Sequence, residues 1–432
     1  MYKDCIIRGM ELGQTDESWS FRQLRRTQTC YLTHDYHKYP AKFIPQLAQR
    51  LILENSNPGD LVCDPFMGSG TTLLEAILNS RRAYGSDIQP LSVLISKAKT
   101  TSIEPDYLKE QISSLLVGIS ADLENRSDIK TFRTVNSSSF IPYNKKIDYW
   151  FPEEQKRDLA IILSRINCLD DQKIRTFLLC AFSNILKVCS RWMMKSIKPT
   201  RDRYKVIANA YRSFAVQTNR MSIKNQELWN TFGPKEPECI IHNADARKIN
   251  VQNETAALIV TSPPYVTSYE YMDLHQLSSI WFRYIDKPLD FRSKFIGSIH
   301  KTSSRGKLYS KFAKSIVSEL DVLDTREANA VEQYFLEMQE CFQEMYRVVK
   351  QRGRICIIIG NTQLRRVSIN NAEVFIESLH EIGFKTNKVI KRAVPHKILP
   401  LTRDEKTGRF CSTLGANRLA YPSEYILIME KA

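Results

Sequence analysis

Ala256-Ala257-Leu258-Ile259-Val260-Thr261-Ser262-Pro263-Pro264-Tyr265 reads as a buried strand that stops abruptly. The apolar, β-branched run suits a strand covered on both faces. Two prolines end it, because proline has no N–H for a ladder and disfavours helix in the residue before it. Ser262 and Tyr265 therefore belong to a stiff loop at the carboxyl end of a strand, the edge where open α/β sheets bind ligands. A double proline also leaves a backbone carbonyl as a fixed acceptor with no competing N–H. Such a loop can hold a planar amino group with an aromatic ring against its face. An ordinary turn after a strand would have the same local sequence, so a second segment has to decide.

That segment is Asp64-Pro65-Phe66-Met67-Gly68-Ser69-Gly70-Thr71-Thr72, which follows the short apolar run Leu61-Val62-Cys63. Gly68 and Gly70 permit a tight strand-to-helix turn and a close backbone approach by a ligand. The helix beginning at Thr71 presents free N–H groups. No lysine precedes Thr71, so this is not a phosphate-gripping P-loop. Leu73 stands where a dinucleotide fingerprint needs its third glycine. An acid ahead of the glycines would repel a pyrophosphate but suits a cationic amine. Asp87 ends the next strand, Ala83-Tyr84-Gly85-Ser86-Asp87, where an acid accepts from ribose hydroxyls. Asp245 follows a third strand, Cys239–His242, and is placed to accept from an adenine amino group. Helix capping alone would explain Asp64 and Asp87. A ligand with an amino-acid end, a ribose and an adenine satisfies all three acids, and S-adenosylmethionine has those parts.

The rest of the chain fits around these segments. Its 432 residues can bury a large core, as two domains or one heavily decorated domain. With 43% hydrophobic and 25% charged residues it has a soluble globular composition. No apolar run approaches the ~20 residues that cross a bilayer, and Met1–Cys5 opens no signal-peptide pattern. Ten cysteines without a Cys-x-x-Cys pair suggest neither a zinc site nor a disulfide framework. No metal is expected, and a reducing cytoplasm is. The net charge of +15 points to a polyanionic partner, most commonly nucleic acid.

Alternating strands and helices over residues 1–100 and 239–432 predict a doubly wound α/β sheet of seven strands. Residues 101–238 are mostly helical in pattern and form a candidate inserted domain. They carry a basic stretch, Lys187, Arg191, Lys195, Lys198, Arg201, Arg203 and Lys205, with Trp192 and Tyr204 between. Both aromatics are expected as packing residues, since large aromatics are highly buried on average. Tyr269–Tyr284 reads as one aromatic-rich helix, 285–320 as basic and loop-like, and Val331–Val349 as a long helix.

The paired segments resemble the amino-group DNA methyltransferases, which methylate N4 of cytosine or N6 of adenine. Tyr39-Pro40-Ala41-Lys42-Phe43 adds to the resemblance, and in that family such a segment helps close the cofactor pocket. The resemblance covers 34–100 and 239–430. It implies a class I, Rossmann-like methyltransferase fold whose last strand is antiparallel, with S-adenosyl-L-methionine as cofactor and double-stranded DNA as partner. Cofactor contacts are implied for Tyr39, Pro40, Ala41, Phe43, Asp64, Pro65, Phe66, Gly68, Ser69, Gly70, Thr71, Thr72, Asp87, Ile88, Asp245 and Thr261. The catalytic segment is Ser262, Pro263, Pro264 and Tyr265. Serine before Pro-Pro-Tyr is typical of members acting on N4 of cytosine, with some crossover to adenine. The order of the segments resembles members with a target-recognition domain between the halves, although here the insertion follows the second strand rather than the third. The basic segments 285–316 and 385–409 are expected to share DNA contact with 101–238.

On this reading Ser262 and the Pro263 carbonyl accept the two amine hydrogens, and Tyr265 stacks on a flipped base. No Pro-Cys pair exists, which argues against carbon-5 chemistry. The implied setting is a prokaryotic or phage-encoded enzyme of the cytoplasm, with a separately encoded restriction endonuclease as a possible companion. An RNA base-amine methyltransferase and a non-catalytic DNA-binding protein on the same scaffold are the rival readings.

Overall fold

The computed structural model describes residues 14–40, 42–124, 140–196, 198–266, 271–284, 291–298, 306–394, 402–403, 410–411, 418–419 and 423–432. Seven strands form its central sheet. In chain order they are β1 (Leu61–Asp64), β2 (Arg82–Asp87), β3 (Cys239–Asn243), β4 (Ala256–Thr261), β5 (Val349–Ile359), β6 (Phe384–Ala393) and β7 (Ser423–Lys431). Their order across the sheet is β3-β2-β1-β4-β5-β7-β6. β1 to β5 pair in parallel, and β7 alone runs antiparallel to both neighbours. Order reverses between β1 and β4, so their carboxyl ends open the crevice where doubly wound sheets take ligands. β1 and β4 are buried at every position, as strands covered on both faces must be.

One face is covered by helices α1 (Pro45–Asn55) and α2 (Thr71–Leu78), whose Leu47, Leu51, Leu73 and Ile77 meet Val62, Leu258, Val260 and Ile358. α3 (Pro90–Thr100) leads into a helical unit made of α4 (Pro105–Glu124), α5 (Lys145–Trp150), α6 (Glu153–Asn167), α7 (Gln172–Ile185) and α8 (Ala210–Phe232). Its core, with Leu108, Ile162, Phe177, Phe182 and Phe214 all buried, continues into α3 through Ile95 and reaches Trp281 downstream of β4. Buried Asn225 of α8 joins its two ends. The Asn225 amide donates to the Ile103 carbonyl at 2.6 Å and accepts from the Ile103 N–H at 3.0 Å.

After β4 come α9 (Tyr271–Leu274), α10 (Gln276–Trp281), α11 (Lys311–Asp321), α12 (Thr325–Val348) and α13 (Asn371–Ile382). The last three cover the second sheet face through Ile316, Phe335, Phe342 and Phe375. Two expectations fail here. The single helix over Tyr269–Tyr284 is two short ones, broken at His275, whose buried ring lies 4.9 Å from that of Tyr39. Tyr269 itself lies outside the described residues. The loop expected over 285–320 contains α11, capped by Ser310, whose hydroxyl accepts from the Ala313 N–H. Phe312, Ala313, Ile316, Val317 and Leu320 fall at helical spacing, a signal masked by the surrounding lysines.

Candidate active site

β1 delivers Asp64 to the crevice, and the chain then turns through Gly68 (φ 49°) and Gly70 (φ 70°) into α2. Both conformations are left-handed and favour glycine. Space demands it too. A Cβ on Gly70 would stand 2.7 Å from Ser96 Oγ, and one on Gly68 would stand 3.2 Å from the Tyr39 ring. α3 grips this loop from behind, the Lys99 ammonium donating to the Ser69 carbonyl at 2.6 Å and Ser96 Oγ to the Gly68 carbonyl at 3.1 Å. Asp87 closes it from β2, its carboxylate accepting from the N–H groups of Gly68 (3.0 Å) and Gln89 (2.8 Å).

The Pro-Pro loop leaves β4 immediately beside it. Thr261 Oγ1 donates to Asp64 Oδ1 at 2.6 Å, and Thr72 Oγ1 donates to the Val260 carbonyl at 3.1 Å. These bonds join the two segments directly across the crevice. Ser262 Oγ donates to the Ile358 carbonyl of β5 at 3.0 Å. The buried Tyr334 hydroxyl of α12 donates to the Pro264 carbonyl at 2.7 Å. The Tyr265 phenol reaches Glu424 of β7 at 3.4 Å. Its ring lies against Gly360, where an added Cβ would come within 3.1 Å of it.

One cavity lies between the two segments. Of the expected residues, Tyr39, Phe43, Pro65, Phe66, Gly68, Ser69, Thr71, Asp87, Ile88, Asp245, Ser262 and Pro264 line it. Pro40, Asp64, Gly70, Thr72, Thr261, Pro263 and Tyr265 stand outside its wall, and Ala41 lies outside the described residues. Asp64 ties β1 to β4, and Thr72 ties α2 to β4, instead of facing the cavity. Asp245 is in the wall, but Arg247 clasps both its oxygens at 3.0 and 2.6 Å and continues to Glu337 at 2.8 Å.

Lys42, Met67, Gln89, Ala246, Lys294, Phe295 and Ile296 also line the cavity and were not among the expected residues. Gln89 had a usable signal, standing two positions past the acid that ends β2. Residues 294–296 had none, because tertiary folding alone brings them there.

Burial raises the acids of this site. It pushes the Asp64 and Asp87 carboxyls up to about 6, against hydrogen bonds that favour their charged forms. Behind the loop, burial takes Glu75 up to about 7 and holds His34 and Lys99 well below their ordinary ranges. Glu75 accepts from the Tyr31 hydroxyl at 2.5 Å and contacts His34 Nε2 at 2.7 Å. Lys42 donates to the His34 carbonyl at 2.9 Å. These contacts fasten the segment before α1, which carries Tyr39 and Phe43, over the cavity.

The residues present fit S-adenosylmethionine. Asp87 is fixed by two backbone N–H groups and retains lone pairs for ribose hydroxyls. Phe43, Phe66, Ile88 and Phe295 offer apolar surface for a purine. Among the described residues neither the oxygen nor the nitrogen of the buried Gln89 amide has a partner, as expected of a group awaiting a polar ligand.

The sheet order, the glycine turn and the acid ending β2 define a class I methyltransferase. A DNA methylase family model, covering N6 and N4 enzymes, matches residues 10–98 and 256–432, and the chain belongs to that family. Type II methyltransferase M.MvaI of Kocuria varians is 28% identical over 94% of this chain and 92% of its own length. Type II methyltransferase M.BsoBI of Geobacillus stearothermophilus is 23% identical over 82% of this chain and 79% of its own. DNA adenine methyltransferase YhdJ of Escherichia coli is 31% identical over 25% of this chain and 35% of its own. The enzyme is a DNA methyltransferase with S-adenosylmethionine as its cofactor.

Proposed function

We propose that the enzyme methylates the exocyclic N4 of a cytosine flipped out of a specific duplex sequence. The observation that supports an exocyclic amine as acceptor is the hydrogen bond from Ser262 Oγ to the Ile358 carbonyl, and the choice of cytosine rests on serine standing before Pro-Pro-Tyr. It commits the only proton of the hydroxyl to β5. What remains on the oxygen is lone pairs, which accept from an amine N–H and offer nothing to a carbonyl. Tyr334 fixes the adjoining peptide through Pro264, so the Pro263 carbonyl holds one direction as the second acceptor. Accepting both hydrogens pyramidalises the nitrogen, withdraws its lone pair from conjugation with the ring and aims it at the cofactor side. Tyr265, braced by Gly360 and Glu424, supplies the face on which the flipped ring rests.

S-adenosylmethionine supplies an electrophilic sulfonium methyl when bound. The chain's own residues bind, orient and exclude water, with positioning as the main source of acceleration. Asp87, Gln89 and the Gly68–Thr71 turn hold the cofactor, while Asp64 ties its half of the crevice to the catalytic loop. Residues 101–238 act as the target-recognition domain between catalytic parts 1–100 and 239–432. The setting we infer is a bacterial restriction-modification system, with the enzyme in the cytoplasm protecting DNA from a separately encoded endonuclease.

Nucleoside mass spectrometry of DNA from cells expressing the protein tests the assignment. N4-methylcytosine is the expected product. N6-methyladenine would move the acceptor to adenine, and neither product would refute catalysis on DNA.

A further inference from the structure

An exposed aromatic and cations without an ion pair among the described residues occur together on one element, the stretch from Arg191 to Val206 that follows α7. Its two arms pair antiparallel at Trp192 and Arg201, with the Met193 N–H donating to the Thr200 carbonyl and the Asp202 N–H to the Arg191 carbonyl, both at 2.8 Å. The base of this hairpin is rigid. Trp192, 3% exposed, stacks on Trp150 with ring centres 5.2 Å apart. Lys205 donates to the carbonyls of Lys187 and Trp192 at 2.6 and 2.8 Å, and Lys187 donates to that of Ser196 at 2.8 Å.

The sequence-based expectation therefore holds for Trp192 and fails for Tyr204, which is 95% exposed. Val206 is 94% exposed, and Met193 and Met194 are also on the surface. Burial would be the default for such side chains, so a rigid arm presenting them to solvent points to a partner. Seven basic residues against one acid lie between 187 and 205. Two of the seven, Lys187 and Lys205, fix the hairpin backbone. Lys195, Lys198 and Arg203 are exposed and make no ion pair among the described residues. A protein partner would call for few charges at the centre of the contact. Cations flanking a bare aromatic are the chemistry that grips phosphates and stacks on bases.

The hairpin also stands close to the crevice. Trp150 Nε1 donates to Gln276 Oε1 of α10 at 3.2 Å, just downstream of the catalytic loop. Asn184, near the end of α7, accepts from the Lys38 N–H at 3.3 Å, beside the cavity residue Tyr39.

We propose that the Arg191–Lys205 hairpin enters duplex DNA beside the target base, with Tyr204 stacking against a base step and Lys198 and Arg203 neutralising phosphates. This rests on the reading of duplex DNA as the methyl acceptor, and it names the element that makes the contact.

The test uses the full-length enzyme, unmethylated plasmid DNA and radiolabelled S-adenosylmethionine. Tyr204→Ala should lower kcat/KM for plasmid about tenfold, in the range that loss of an aromatic–base stack costs. Tyr204→Phe should restore most of it, and cofactor affinity should stay unchanged in both. The double variant Lys198→Gln/Arg203→Gln should reduce the slope of log affinity against log salt by about 2, near 0.9 per phosphate contact. Wild-type slope and wild-type kcat/KM in these variants would overturn the proposal. So would equal, hairpin-dependent binding of duplex RNA in competition with DNA. Steep DNA binding by the wild-type enzyme with no methyl transfer would instead refute the catalytic reading, while the variant slopes would still decide the role of the hairpin.

Discussion

The two walls of the crevice are held by different chemistry. On the cofactor wall, the loop between β1 and α2 is fastened by ionisable groups, with Lys99 and the Glu75–His34 pair buried and Asp87 half-buried. On the acceptor wall, the Pro-Pro loop is fastened by neutral hydroxyls, Ser262 to Ile358 and Tyr334 to Pro264. Buried ionisable groups depend on pH and tolerate no missing partner. Neutral bonds are individually modest, about 1 kcal/mol net, and indifferent to pH near neutrality. The contrast suggests that pH and mutation should act on binding through one wall and on turnover through the other.

The largest effect should come from Asp87→Ala. It removes the acceptor of two backbone N–H groups and the proposed ribose contact. Cofactor Kd measured by calorimetry should rise at least about 100-fold, since hydrogen bonds to charged groups are worth about 1.5–3 kcal/mol each. Affinity within a few-fold of wild type would dissolve the contrast. Ser262→Ala comes next, and a fall in kcat of about 100-fold with unchanged cofactor Kd is expected, the scale of losing one preorganised polar contact to a reacting group. A matching loss of cofactor binding would show that the walls do not act separately.

Gly360→Ala and Tyr334→Phe probe the acceptor wall more gently. The first pushes Tyr265 from its seat and the second frees Pro264. Each should lower kcat roughly tenfold, as a net loss near 1.4 kcal/mol would, and leave cofactor binding intact in the same assay.

The pH effect is smaller near neutrality and appears only below it. Asp87 and Asp64 titrate near 6 in the free protein. Of the two only Asp87 faces the cavity, and ribose donors require its charged carboxylate, so cofactor affinity should weaken as pH falls through about 6, by up to about tenfold per unit. Stability has the opposite sign. A carboxyl raised by burial favours folding while protonated, and that contribution is lost as pH rises through about 6. Asp87→Asn should therefore match or slightly exceed the wild-type Tm at pH 7 in scanning calorimetry while binding cofactor poorly. A Tm drop of many degrees would make Asp87 a structural residue first.

Much of this architecture was legible in the chain because strand ends carry strong local marks. Asp64, Asp87 and Ser262 each terminate an apolar run, and the glycines and prolines beside them leave few backbone choices. Residues brought in from afar were illegible. Lys294–Ile296 join the cavity wall by tertiary folding alone, whereas Gln89 could have been read from its place two positions past Asp87. α11 was hidden by its charge, and the break at His275 follows from its packing on Tyr39. Tyr204 shows the limit of averages, because exposure depends on where the Trp150–Trp192 stack directs the hairpin.

The clasp of Asn225 on Ile103 has an evolutionary corollary. It brings entry and exit of the helical unit to one point, like the neck of a bag. Segments of the unit that do not pack on α3 or α10 can lengthen or shrink without moving β2 or β3. On the proposed role of this unit in target recognition, a lineage built this way can change the words it reads in a genome while its methyl-transfer chemistry stays the same.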